Sequence, residues 1–128
     1  MGYRSDLTVL IYPEMGDSPG AGADQYNQLK VLMNTQFRDV VEEFKDDMQW
    51  VDSKHTLIFK FESVKWYPSY TDVIRFTAML HAFRTAELPG YCTEYVRIGE
   101  DDTDIETEYT GDTCEYRLGV SRAITVDL

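Results

Sequence analysis

The segment Asp6–Tyr12 does most to limit what this chain can become. Leu7, Val9 and Ile11 alternate onto one side of an extended backbone, and Leu10 and Tyr12 fall on the other. A strand that is apolar on both sides has to be covered on both, which predicts a central place in a sheet rather than an edge. The next stretch, Pro13–Asp24, holds two prolines and three glycines and reads as a long surface loop.

Helical spacing follows. Leu29, Met33, Phe37, Val40, Phe44 and Met48 make one apolar stripe, which predicts a helix over about Asp24–Asp47 with Asp24 as its N-cap. Thr56–Glu62 alternates cleanly, with Leu57, Phe59 and Phe61 facing in. Val64-Lys65-Trp66-Tyr67-Pro68 leads to a second helix, opened by a capping pair of Ser69 and Asp72 and carrying Val73, Phe76, Leu80 and Phe83 inward. Leu88-Pro89-Gly90 closes it. The remainder reads as strands at Tyr91–Ile98, Asp104–Tyr109, Cys114–Val120 and Ala123–Leu128.

The expected fold is α+β: a two-layer sandwich whose mixed, mainly antiparallel sheet carries two helices on one face, in the order β-α-β-α-β-β-β. With 128 residues the chain is one domain, 1–128. The first two strands flank a helix, which predicts a right-handed parallel crossover. The short turns further on predict an antiparallel meander.

No apolar run approaches the roughly 20 residues of a bilayer span. Met1–Asp6 lacks the apolar core of a secretory signal, and Asp6 stands where a myristoylation signal needs Ser or Thr. Cys92 and Cys114 are too few for a disulfide framework; they read as two buried thiols in strands, with a disulfide between them as the lesser alternative. These features together predict a cytoplasmic protein.

Charge carries the functional signal. There are 23 acidic and 12 basic side chains, a net charge of −11. Such a field repels nucleic acid and anionic membranes, so neither is an expected direct partner. From Gly90 onward, 10 acids face 3 bases, a balance of −7. The densest run is Glu100–Glu108. Within it Asp102, Asp104, Glu106 and Glu108 fall at every second residue, and Asp101 adjoins them. On a strand, all four project from one face about 6.7 Å apart, and neighbours repel by about 0.6 kcal/mol per pair in water. The row reads as a phosphate-mimicking edge for a basic groove on another protein. It reads more simply as a solvated edge that prevents sheet-to-sheet aggregation, the ordinary use of charge runs. A calcium loop is a third reading of Asp102-x-Asp104-x-Glu106, but Thr107 stands where the loop needs glycine and Thr113 where it needs Glu.

Other chemistry is thin. The glycines at 16, 20 and 22 follow a strand and precede a helix, yet they lack a phosphate-loop spacing and are surrounded by Glu14, Asp17 and Asp24. His55 and His81 form no metal-binding spacing, and no nucleophile elbow is present. No catalytic residue, metal or cofactor is expected. Trp66, Tyr67 and Tyr70 either seal the end of the sandwich or form an exposed anchor patch, since Trp and Tyr are enriched in interface hot spots.

Three runs stand together: Met1-Gly2-Tyr3-Arg4-Ser5-Asp6, Val64-Lys65-Trp66-Tyr67 and Arg97-Ile98-Gly99-Glu100-Asp101. This combination resembles a group of small acidic proteins of tailed bacteriophages and prophages. The resemblance implies a phage product acting in the host cytoplasm, and it carries no catalytic or binding residues with it. The expectation is a non-enzymatic protein that binds and inhibits a host protein with a basic surface, nucleic-acid-binding proteins among the candidates, through an acidic, DNA-mimic-like face. Asp101, Asp102, Asp104, Glu106, Glu108, Trp66, Tyr67 and Tyr70 are its expected contacts. A virion structural or assembly component, associating with copies of itself, is the alternative; a small enzyme or nucleotide binder is the third.

Overall fold

The computed structural model describes residues 3–14, 21–85, 87–101, 103–110, 117–120 and 124–128. Its centre is β1 (Ser5–Pro13), whose neighbours on both sides are strands. In chain order come α1 (Ala21–Thr35), α2 (Arg38–Phe44), β2 (Met48–Val51), β3 (Thr56–Val64), α3 (Thr71–Arg84), β4 (Tyr91–Gly99), β5 (Ile105–Tyr109), β6 (Leu118–Val120) and β7 (Ile124–Val126). The main sheet runs β2-β3-β1-β4-β5, and every pairing within it is antiparallel. The protein is an α+β sandwich with its helices on one sheet face.

Leu7, Val9 and Ile11 pack on that face with Leu29, Met33, Val40, Phe44 and the buried side of α3. Phe76 is the hub, set edge-on to Phe59 at 4.9 Å and to Phe44 at 5.6 Å. Leu10 and Tyr12 pack on the other face with Ile58, Cys92, Val96 and Leu118. The β6–β7 hairpin pairs only with itself and supplies that second cover. Both apolar sides of β1 are thus satisfied, as its sequence requires.

Several local expectations are corrected. The first and second expected strands, here β1 and β3, lie antiparallel, not parallel. The reason is β2, hidden at the end of the expected long helix. It forms a hairpin with β3 through a 3-10 turn (Asp52–Lys54) and His55, which takes a left-handed φ of 48°, and this reversal flips the direction of β3. The long helix is itself broken: the Phe37 amide reaches back to the Leu32 carbonyl at 3.1 Å, and α2 starts afresh at Arg38. The break keeps the stripe facing inward, with Phe37 against Phe83 at 5.5 Å, while Met48 leaves the helix to begin β2. Asp24 lies in the first turn of α1, not at its cap. The Ser69–Asp72 capping pair does not form: α3 starts after Tyr70 without a side-chain cap, and the Asp72 carboxylate accepts from the Val73 amide at 2.9 Å. The last two strands stand apart from the main sheet.

Cys92 is fully buried in its strand, as expected, and it is disulfide-bonded rather than a free thiol. The chain's other cysteine, Cys114, lies outside the described residues, as do Asp102 and the loop positions Gly16 and Gly20. Among the described residues, no helix is long and apolar enough to cross a membrane.

Candidate binding groove

The alternation of Asp104, Glu106 and Glu108 becomes a geometric fact through the register of β5 on β4. Glu106 stands opposite Arg97, and Glu108 opposite Tyr95. Facing residues of an antiparallel pair share a sheet face. All of these side chains, with Asp104 at the entry to β5, line one groove on the helical side.

The row is ion-paired, with two arginines serving three carboxylates. Arg97 holds Asp104 in a two-pronged fork at 2.7 and 3.1 Å and gives its Nε to Glu106. Arg84, in the last turn of α3, reaches over to Glu108. Arg97 also donates to the Ser5 hydroxyl at 3.0 Å, so this arginine is fixed from the central strand as well. Its guanidinium, and secondarily the Tyr3 hydroxyl, hold the Asp104 carboxyl below the usual range. The pairing leaves much of each acid wet: the Glu106 and Glu108 side chains keep 56% and 57% of their exposure, against 12% for Arg97. The carboxylates are therefore lined up and held, with oxygen surface still open to a further partner.

Facing the row is one flank of α3, where exposed Ile74 and Thr77 and the buried edges of Val73 and Leu80 supply a mainly apolar wall. Trp66 and Tyr95 complete the lining of a groove of about 530 Å³. Burial, reinforced by the charge of Glu106, pushes the Tyr95 phenol up to about 12. Size and lining suit a ligand with an apolar body and a polar or cationic head.

The three sequence runs singled out above converge at one end of this groove. The Tyr3 amide donates to the Tyr67 hydroxyl at 2.6 Å. The Tyr3 hydroxyl donates to Asp104 at 2.7 Å and accepts the Asp101 amide at 3.0 Å. The Arg4 amide donates to Glu100 at 2.7 Å. A Cβ at Gly99 would displace both the Tyr3 hydroxyl and the Asp104 carboxylate, so glycine lets the two side chains close over this position.

Asp104, Glu106, Glu108 and Trp66 thus come together in the groove, while Asp101, Tyr67 and Tyr70 are not part of its lining. Asp101 turns away from the row and accepts from the Thr103 amide and hydroxyl at 2.9 and 2.7 Å, closing the β4–β5 turn. Trp66 is half-buried against Phe61 and Phe76, so it seals the core and lines the groove at once. Tyr67 is half-buried; Tyr70, exposed, meets it edge-on at 5.0 Å and lines a separate shallow hollow with Glu43 and Arg75. Sequence reasoning missed Arg84, Arg97, Tyr95 and Tyr3. Only the strand register and the placement of α3 bring them to the acids, and neither is written in local spacing. The Asp104 and Glu106 carboxylates of the calcium-like run are both engaged by Arg97. Set against known proteins, the chain matches no family model, no curated protein and no solved structure.

Proposed function

We propose that this chain is a non-enzymatic, phage-type binding protein that captures a host protein with a basic surface and inhibits it in the host cytoplasm. The observation that carries this reading is the file of carboxylates at Asp104, Glu106 and Glu108, held in line by arginines yet still exposed beside an apolar groove. The carboxylates and guanidinium groups of the groove are committed to one another in salt bridges, which favours recognition over proton transfer. The balance of −7 from Gly90 onward adds long-range attraction for a basic partner. Because Arg84 and Arg97 offset part of the row, the reading favours a local basic segment of the partner over its whole nucleic-acid-binding face.

The test is capture from host lysate with wild-type protein and with the Glu106→Lys/Glu108→Lys variant, folding being checked by circular dichroism. Loss of the captured protein, and of growth inhibition on expression, is expected. Retention of the same partner by the folded variant refutes the reading. A virion component is the second reading, one that meets a different virion protein along the outer edge of β5, with which no described strand pairs. Stoichiometric presence of the chain in purified particles supports it.

A further inference from the structure

Among the described residues β5 is an edge strand of the main sheet, and the backbone polarity of its outer side can be assigned. The Gly99 amide donates to the Asp104 carbonyl at 2.8 Å, and the Thr110 amide donates to the Thr93 carbonyl at 3.0 Å. In an antiparallel ladder the backbone groups of alternate residues point to opposite sides. Even-numbered positions therefore bond inward to β4, and Thr107 turns both its amide and its carbonyl outward. Ile105 turns its carbonyl outward, its amide being taken by the Thr103 carbonyl at 3.1 Å. Residues 105–108 are exposed, and among the described residues no strand pairs with this side.

Resting on the function proposed above, we infer that β5 accepts a sixth strand from the partner: an extended segment with Lys or Arg at every second position, paired through Thr107. An added strand runs about 4.8 Å from β5 and repeats each face every 6.7 Å or so, the repeat of Glu106 and Glu108. Its cationic side chains then enter the groove in step with those two acids. The aliphatic stem lies against Ile74, which is 53% exposed, and the charged head meets the wet carboxylate oxygens. Charge also selects the occupant. A second copy of this chain would set one row of glutamates beside another and be repelled, whereas a cationic strand is attracted. One feature thus guards the edge against self-pairing and opens it to a basic partner.

The probe is a blocked octapeptide of alternating Lys and Val, followed by fluorescence anisotropy at low salt. Controls are alternating Glu and Val, four Lys followed by four Val, and the Lys–Val peptide with N-methylated valines. The alternating Lys peptide is expected to bind at least about tenfold more tightly than each control. Thr107→Pro, which removes the outward amide at an edge where proline is tolerated, is expected to weaken it by at least about tenfold. Glu106→Gln/Glu108→Gln is expected to do the same, and the Thr107 amide of the wild type to exchange more slowly with peptide bound. Equal binding of the alternating, block and N-methylated Lys peptides overturns strand addition whether or not Thr107→Pro folds, and so does no binding at all. The two readings fail separately. Host capture that survives Thr107→Pro but not the Glu106→Lys/Glu108→Lys change sinks strand addition alone. Capture that survives the charge reversal sinks the acidic-surface reading.

Discussion

Gly99 is the residue on which the end of the groove turns. A methyl group there meets the Tyr3 hydroxyl and the Asp104 carboxylate, the two groups that bond to each other across it. Gly99→Ala is therefore expected to part Tyr3 from Asp104 and to cost about 1–3 kcal/mol, the usual range for overpacking. Tyr3→Phe removes the hydroxyl without adding bulk and should cost less than Gly99→Ala. Because the two changes break one bond, the double variant should lose less than the sum of the singles. Urea midpoints of the four proteins check this, and strict additivity would show that Gly99 acts elsewhere. Arg97 is the second such residue. It grips Asp104, Glu106 and Ser5 together, so it fixes the acidic strand to the central one.

At the scale of elements, the C-terminal hairpin hangs on a buried acid. Glu94 is fully buried on the face beneath β6, where it accepts from the Tyr12 hydroxyl and from the Leu118 amide at 2.9 Å. The Tyr109 hydroxyl adds a bond to the Leu118 carbonyl at 3.0 Å. Glu94→Leu leaves the buried Leu118 amide without this acceptor, a loss of about 1–3 kcal/mol. Hydrogen exchange should locate the damage. The Leu118 amide is expected to exchange faster while amides of the β1–β3 pairing keep their protection, and uniform loss of protection would contradict a local role. The same strand illustrates what was legible beforehand. Leu7 through Tyr12 announce a doubly covered strand because burial on two faces leaves a pattern in a single segment. The phase of Asp104, Glu106 and Glu108 was legible for the same reason. The break at Phe37 was not, because Leu29, Met33, Val40 and Phe44 stay buried across it and the stripe reads as continuous. Nor was β2, whose four residues look like one more helical turn until β3 pairs with them. Arg84 and Arg97 were invisible as partners of the acids, since their pairing depends on tertiary placement.

For the molecule as a whole, pH sets two limits. On the acid side, Asp52 is held low by the Tyr26 hydroxyl and then Lys30, Asp101 by the Thr103 amide and hydroxyl, and Asp104 by Arg97 and then Tyr3. A carboxyl whose folded pKa is depressed contributes stability that is fully present above its unfolded value, near 3.8, and is lost as pH falls through the folded one. Asp47, raised by burial and by Asp46, works in the opposite sense. On the alkaline side, Tyr91 and Tyr95 are pushed from 10 up to about 12, chiefly by burial. Between those values the unfolded chain has released phenolic protons that the folded chain still holds, so stability falls as pH rises from 10 to 12. The shift at Tyr91 is due to burial alone, whereas Glu106 contributes to that at Tyr95. Glu106→Gln should consequently lower the Tyr95 pKa and leave Tyr91 unmoved. It should also lift part of the stability loss between pH 10 and 12. Phenolate absorbance, with Tyr91→Phe and Tyr95→Phe to assign each step, reads this directly. An unchanged Tyr95 would mean that the Glu106 charge is absorbed entirely by Arg97. The row would then present less negative potential to a partner than its exposed oxygens imply, and the contribution of Glu106 to capture should fall accordingly.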